Sequence, residues 1–425
     1  MNQYQKTVEV IGGGTLVNVA PHFALCSPAF GNTAKRIAEL CKEHSDKLKV
    51  NLTLTRMAGG PKELEDVHDV EQWVDNLGLD VKIVFFNVAM CDFVPYGLDG
   101  DEHQLFGKEA ERLSTRNEDG SPRSYDLRLS PASKVIRRIR KERKDIFLVG
   151  FKATSGLSED EQYIAGLNLL KEASCNLVLA NDAVSRVSMI ITPEEARYHA
   201  SKDRDMVLRN LVEMAYLRSH LSFTRSTVVA GEPIPWGSEL VPEALRTVVD
   251  HCINAGAYKE FRGSTVGHFA CKIDEKTFLT SRRKTNFNDL SKIGLVKVET
   301  DGPDTVIAYG SKPSVGGQSQ RIIFSEHMDT DCIVHFHCPI KEGSEVPIVS
   351  QREYECGSHQ CGQNTSNGLK KFGNLWAVYL DQHGPNIVFN RDIDPQEIID
   401  FIEGNFDLEG KTGGPVKLEK EVLAV

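Results

Sequence analysis

Two rhythms of apolar and polar positions divide the chain. In the first half, short apolar runs recur between longer stretches of helical period. "TVEVI" (7–11), "VNLTLT" (50–55), "VKIVFFNVAM" (81–90), "DIFLVGF" (145–151) and "NLVLAND" (176–182) read as strands, the last three built on continuous apolar runs. Continuous apolar runs are what parallel strands covered on both faces require. Between them, 32–45, 131–144, 158–174 and 203–220 read as helices; in the first, Ala34, Ile37, Ala38 and Cys41 form one stripe. Strand and helix in alternation predict a doubly wound α/β sheet, with ligands beyond the carboxyl ends of the strands.

The rhythm changes near residue 222. Residues 222–242 read as a linker or edge strand and 241–255 as a helix. Short strands broken by Gly and Pro follow at 265–272, 277–281, 294–299, 304–309, 331–338, 375–380 and 386–390, then a helix at 395–404 and a loose tail after 408. This half reads as α+β with a largely antiparallel sheet, and the domain boundary falls between 1–222 and 223–425. Within "DCIVHFHCP" (331–339), alternation sets Cys332, Val334, Phe336 and Cys338 on one face and Ile333, His335 and His337 on the other. Two imidazoles side by side either share a metal ion or are buried histidines bonded to backbone.

Composition narrows the class. The 425 residues suffice for two or three cores, and 40% hydrophobic with 26% charged residues is ordinary globular usage. A net charge of −10 argues against a nucleic-acid coat. No apolar run approaches a membrane span, and the first residues run directly into a strand pattern, so neither membrane nor signal peptide is expected. Ten scattered cysteines read as reduced thiols of a cytoplasmic protein.

The strand ends carry candidate chemistry. "GGGT" (12–15) before a helix is either a phosphate cradle or a tight turn. Asp92, Lys152 and Asn181 follow later strands on the side where ligands bind. The basic run "KVIRRIRKERKD" (134–145) reads as a solvated helix face with Val135, Ile136 and Ile139 inward, the alternative being a phosphate-facing patch. Over roughly 8–215, "IGGGT", the Ser27…Gly31 loop into "NTAKRIAE", "NVAMCDF", "LVGFKATSG", "LVLANDAVSR" and "SKDR" resemble the phosphopantothenoylcysteine synthetase family. The resemblance implies a ligase using a nucleoside triphosphate, ATP or CTP, with Mg²⁺. It makes Gly13, Gly14, Thr15, Ser27 and Gly31 nucleotide contacts, Asn181 a contact to the acyl-nucleotidyl intermediate, and Asp92 and Lys152 pocket residues. The family's serine-rich loop is here "CSPAFGN", and residues 99–124 depart from its substrate loop.

Residues 223–405 resemble the class II aldolase/adducin family through "FRGSTVGHFACK" (261–272), "FLTSRR" (278–283), Pro313-Ser314, "DCIVHFHCP" and "AVYLDQHGP" (377–385). The resemblance implies that His335, His337 and His383 bind Zn²⁺, or another divalent metal, which polarises a carbonyl in a lyase or epimerase reaction. It also implies anion contacts from Ser264, Thr265, Thr280, Ser281 and Arg282. The family's catalytic Glu is missing: its place holds Gly316, Gly317, Gln318 or Gln320, and Glu326 is the nearest acid. The stretch 353–368, with Glu355, Cys356, His359 and Cys361, reads as a Gly-rich active-site loop or a plain surface loop.

The expectation is a doubly wound Rossmann-like parallel-sheet domain followed by an α+β class II aldolase-like domain. Together they make a cytoplasmic two-domain enzyme acting on small, phosphorylated, oxygenated substrates. A homo-oligomer is expected, a tetramer favoured, with no nucleic-acid or membrane partner. The rival is a non-catalytic, adducin-like assembly protein in which only the N-terminal domain is active. Nicotinamide chemistry is disfavoured, because Arg56 rather than an acid ends the second strand.

Overall fold

The apolar runs of the first half form a sheet whose register keeps Val, Ile and Phe side by side. A computed structural model describes residues 6–44, 47–101, 103–302, 304–314 and 317–415, and the side chains of all of these but 317–319. Two compact units interleave along the chain: one holds 1–155, 168–188 and 201–215, the other 156–167, 189–200 and 216–425.

In the first unit, five strands lie in the order Leu177–Asp182, Phe147–Thr154, Val81–Ala89, Lys6–Gly14 and Leu48–Leu54. All four pairings are parallel. Val8, Val10, Ile11, Val84, Leu148, Val149 and Val178 are fully buried, which explains the continuous apolar runs. Helix Asn32–Lys42 buries the expected stripe and adds Leu40. Helix Ile136–Glu142 buries Ile139, while Arg137 pairs with Glu172 and Arg138 with Asp75, so the basic run is a solvated face. Periodicity missed the helix Val67–Asp75, capped by a reciprocal Asp66–Asp69 box. It also missed two antiparallel pairs, Leu16–Ala20 with Phe23–Cys26 and Phe93–Leu98 with Leu127–Pro131.

The second unit is built on a ten-stranded sheet. Its centre runs Thr277–Thr280, His268–Lys272, Cys332–His335, Gly384–Phe389, Leu375–Leu380, all antiparallel. Cys332, Val334, Phe336 and Cys338 pack with Val248, Val249 and Cys252 of helix Glu243–Asn254 and Ile398 and Ile402 of helix Pro395–Asn405. Ile333 faces the other way, toward Ile323 and Phe324 of helix Gly317–Glu326. The alternation read from "DCIVHFHCP" is therefore realised.

Two readings need correction. Residues 359–368 are a helix, because Ser358 caps its first turn by accepting from Cys361 N, and Cys361, Thr365 and Ser366 are buried. Residues 409–415 are not loose. Thr412 is buried and donates through Oγ1 to His383 O at 3.1 Å, and its N–H reaches His337 O at 3.2 Å. Residues 416–425 lie outside the described residues.

Candidate metal centre and strand-end residues

Three buried imidazoles converge at the middle of the second unit's sheet. His335 ends strand Cys332–His335, His337 lies two residues on along the same face, and His383 immediately precedes Gly384–Phe389. One ligand atom from each lies within 4.8 Å of the other two. Ring centroids are 5.1 Å apart for His335–His337, 4.6 Å for His335–His383 and 4.8 Å for His337–His383. Gly384 permits this approach: its φ is 132°, and a Cβ there would stand 2.1 Å from Phe336 O. A side chain would push the His383 strand off the His-x-His strand.

The imidazoles are prepared as ligands. His335 Nδ1 meets Pro385 O at 2.7 Å, so Nδ1 carries the proton and Nε2 the lone pair. His335 Nε2 and both His383 nitrogens have no hydrogen-bond partner among the described residues. Burial holds His335 down to about 4 against the opposing Pro385 bond, and pushes His383 well below its usual range, helped by His335. All three side chains are nearly or fully buried. Unpartnered nitrogens on His335 and His383, convergent with His337, fit a divalent metal of borderline softness.

This has a consequence in acid. An unfolded histidine titrates near 6.5, whereas native His335 stays neutral down to about 4. Between those values the unfolded chain binds a proton that the native one refuses, so stability falls as pH drops through that window and levels off below it. We expect His335 to contribute a loss of about 3 kcal/mol in metal-free protein. Urea midpoints between pH 7 and 4, in chelator, would show it as a steeper fall in wild type than in His335→Asn.

Residues not singled out from sequence complete the surroundings. Register sets His268 opposite His335 and His335 opposite Asn386. His268 stacks on His335 at 4.7 Å, and its Nδ1 meets Gln320 Nε2 at 2.9 Å. Strand alternation in "VGHFACK" could have found His268. Glu195, Lys411, Glu194 and Arg218 are a different matter, since no local pattern marks them. Glu195 Oε2 lies 4.0 Å from His337 Nδ1 and 3.0 Å from Lys411 Nζ. Next to it, Glu194 pairs at 2.5 Å with Arg218, both side chains fully buried.

Other predicted residues are placed as follows. Glu326 is exposed and turned to another helix, accepting from Gln363 Nε2 and Ser366 Oγ. Gly316 lies outside the described residues. Thr280 Oγ1 donates to Phe269 O, Thr265 Oγ1 to Thr285 O, and Arg282 Nη1 to Ile293 O. Ser281 Oγ and Arg282 Nε are buried with no hydrogen-bond partner among the described residues. Ser264 sits in a two-residue hairpin strand with Thr265.

In the first unit, parallel pairing brings Gly13, Gly14, Thr15, Lys152 and Asn181 to the carboxyl edge of the sheet. Asn181 lies opposite Ala153, beside Lys152. Several of these groups already serve the fold. Gly14 N–H donates to Ala29 O at 2.8 Å, Thr15 N–H to Ala89 O at 3.0 Å, and Ser27 Oγ to Met90 O at 2.9 Å. Gly31 precedes helix Asn32–Lys42, and Asp92 pairs with Lys134 at 2.5 Å.

No family model matches the chain. Among curated proteins, the coenzyme A biosynthesis bifunctional protein CoaBC of Thermococcus kodakarensis is 25% identical over 181 residues. That is 41% of this chain and 41% of the relative, so the chain spans about two fifths of the length of the protein it matches. The synthetase-type resemblance thus has a homologue behind it. Among solved structures, a DNA/pantothenate metabolism flavoprotein from Streptococcus pneumoniae aligns with 49% of this chain and 97% of its own, at 17% identity and a TM-score of 0.42. An L-fuculose 1-phosphate aldolase aligns with 44% of this chain and 96% of its own, at 14% identity and a TM-score of 0.28. No helix among the described residues is long and apolar enough to cross a membrane.

Proposed function

We propose that the chain is a two-part enzyme: a CoaBC-like ligase unit that activates a phosphorylated acid with ATP or CTP and Mg²⁺, joined to a zinc-type lyase or epimerase unit. The observation that carries the second half is the set of three buried imidazoles with ligand atoms within 4.8 Å of one another. Buried imidazole nitrogens with no hydrogen-bond partner among the described residues, as at His335 Nε2 and both nitrogens of His383, cost stability, so the cluster calls for an occupant. His335, His337 and His383 would hold the metal, leaving a position open to substrate. When bound, it would act as a Lewis acid on a carbonyl oxygen. The chain supplies the rest: the Pro385 carbonyl fixes the His335 tautomer, and Ser281 and Arg282 offer a hydroxyl and a guanidinium N–H to a phosphate or carboxylate. The ligase half rests on the sequence likeness to CoaBC.

The test is metal content of the purified chain by mass spectrometry, followed by assay of hydroxy-ketone phosphates for cleavage or epimerisation. About one zinc per chain and turnover lost in chelator are expected. A chain that neither retains nor rebinds a divalent metal would overturn the lyase half and favour the assembly-protein reading.

A further inference from the structure

The sequence lacks an acid where the aldolase-type pattern places one, and among the described residues three carboxylates, Glu326, Glu194 and Glu195, are the candidates to replace it. Glu326 is bonded to Gln363 and Ser366. Glu194 is held by Arg218. Glu195 is the one beside the imidazoles, 4.0 Å from His337 Nδ1.

Its placement is expensive in conformation. Glu195 is 1% exposed and has φ 67°, a left-handed backbone that a side chain of this size rarely adopts. Several bonds hold it there. Its N–H donates to Thr192 O at 2.9 Å, and Tyr163 OH donates to its carbonyl at 2.6 Å. The chain of Gly413 runs so close that a Cβ there would meet Glu195 O at 2.0 Å. Lys411, itself nearly buried, sets its charge 3.0 Å from the carboxylate, and the following Thr412 bonds the backbones of both His337 and His383. A clamp for the tail alone would not need the carboxylate to reach the histidine face. A carboxylate at the back of a ligating imidazole fixes its ring and tautomer.

We propose that Glu195 is the positioning carboxylate of the histidine centre: its charge, 4.0 Å from Nδ1 of His337 and so beyond hydrogen-bond length, favours the proton on that nitrogen and leaves Nε2 to the metal, with Lys411 holding the carboxylate in place. Glu195 belongs to the stretch of sequence that resembles the synthetase family, so that stretch supplies a working part of the aldolase-like unit. The proposal rests on the metal reading above.

The experiment compares full-length wild type, Glu195→Gln and Glu195→Ala. Zinc affinity is titrated against a chromophoric chelator, and the visible spectrum of the Co²⁺-loaded chain is recorded beside circular dichroism. Glu195→Ala should weaken zinc binding by roughly 10–100-fold and alter the cobalt bands. Glu195→Gln, which keeps an acceptor oxygen and the side-chain shape, should lose less; it carries the comparison alone if the alanine variant fails to fold. Wild-type zinc affinity and an unchanged cobalt spectrum in a folded Glu195→Gln and Glu195→Ala would overturn the positioning role while leaving the metal centre standing. Failure of wild type itself to bind zinc or cobalt would overturn the metal reading and this proposal with it.

Discussion

Replacing His335 and His337 together by alanine should reduce zinc from about one per chain to background. Two of three ligand atoms are removed, and His383 alone cannot hold a divalent ion against water. A second readout separates this from misfolding. Metal that binds only the native state stabilises it, by about 2.7 kcal/mol at a hundredfold excess over Kd. Wild type should therefore melt higher with added zinc, and the double variant should show no zinc-dependent shift while keeping its circular dichroism. Removal of the His335 ring also removes a buried group that resists protonation, so the metal-free variant should lose less stability in acid than metal-free wild type. A zinc-dependent rise in melting temperature equal to that of wild type would place the metal elsewhere and refute the assignment.

The second large effect concerns Arg218. Its Nη2 meets Glu194 Oε1 at 2.5 Å and Gln351 O at 3.1 Å, and its Nε meets Arg352 O at 2.9 Å, with no side-chain exposure on either charged partner. Arg218→Met leaves Glu194 as a buried charge without its cation and strips donors from two carbonyls. Losses of about 3–5 kcal/mol are typical when one partner of a buried pair is deleted. The companion Arg218→Met/Glu194→Gln removes the stranded charge and should recover much of that loss, because desolvation of the lone carboxylate is the dominant cost. Urea unfolding of both variants decides the matter: a single variant within 1 kcal/mol of wild type, as is usual for exposed pairs, would mean the pair is hydrated and weak. Since Glu194 and Glu195 share one turn, we expect the single variant to weaken zinc binding as well.

The sequence was informative where structure repeats with a short period. Continuous apolar runs located three of the five parallel strands and shorter apolar stretches the other two, and alternation in "DCIVHFHCP" put His335 and His337 on one face. The resemblance to class II aldolases added His383, which no local period links to them. Elements whose reason is local but aperiodic were lost: the Asp66–Asp69 capping box that starts one helix, and the Ser358 cap that turns a Gly-rich stretch into another. Glu195 was invisible for a different reason. Its partners His337 and Lys411 lie more than 140 positions away in sequence, and its left-handed backbone has no signature in a residue other than glycine or asparagine. Long-range contact is decided by packing, and a pattern read within a window of a dozen residues carries no trace of it.

The interleaving of the two units also bears on how the chain is made. Synthesis delivers the last segment of the first unit at residue 215, when the second unit has only 156–167 and 189–200 in hand. Glu194 and Glu195 precede their partners in the chain: Arg218 follows closely, His337 by more than a hundred residues, and Lys411 and Gly413 by more than two hundred. The Glu195 carboxylate therefore waits for most of the second unit to be made before its partners exist, and the histidine centre is completed late in that unit's synthesis. A piece of the chain starting at 223 would carry all three imidazoles and Lys411, but not Tyr163, Glu194, Glu195 or Arg218.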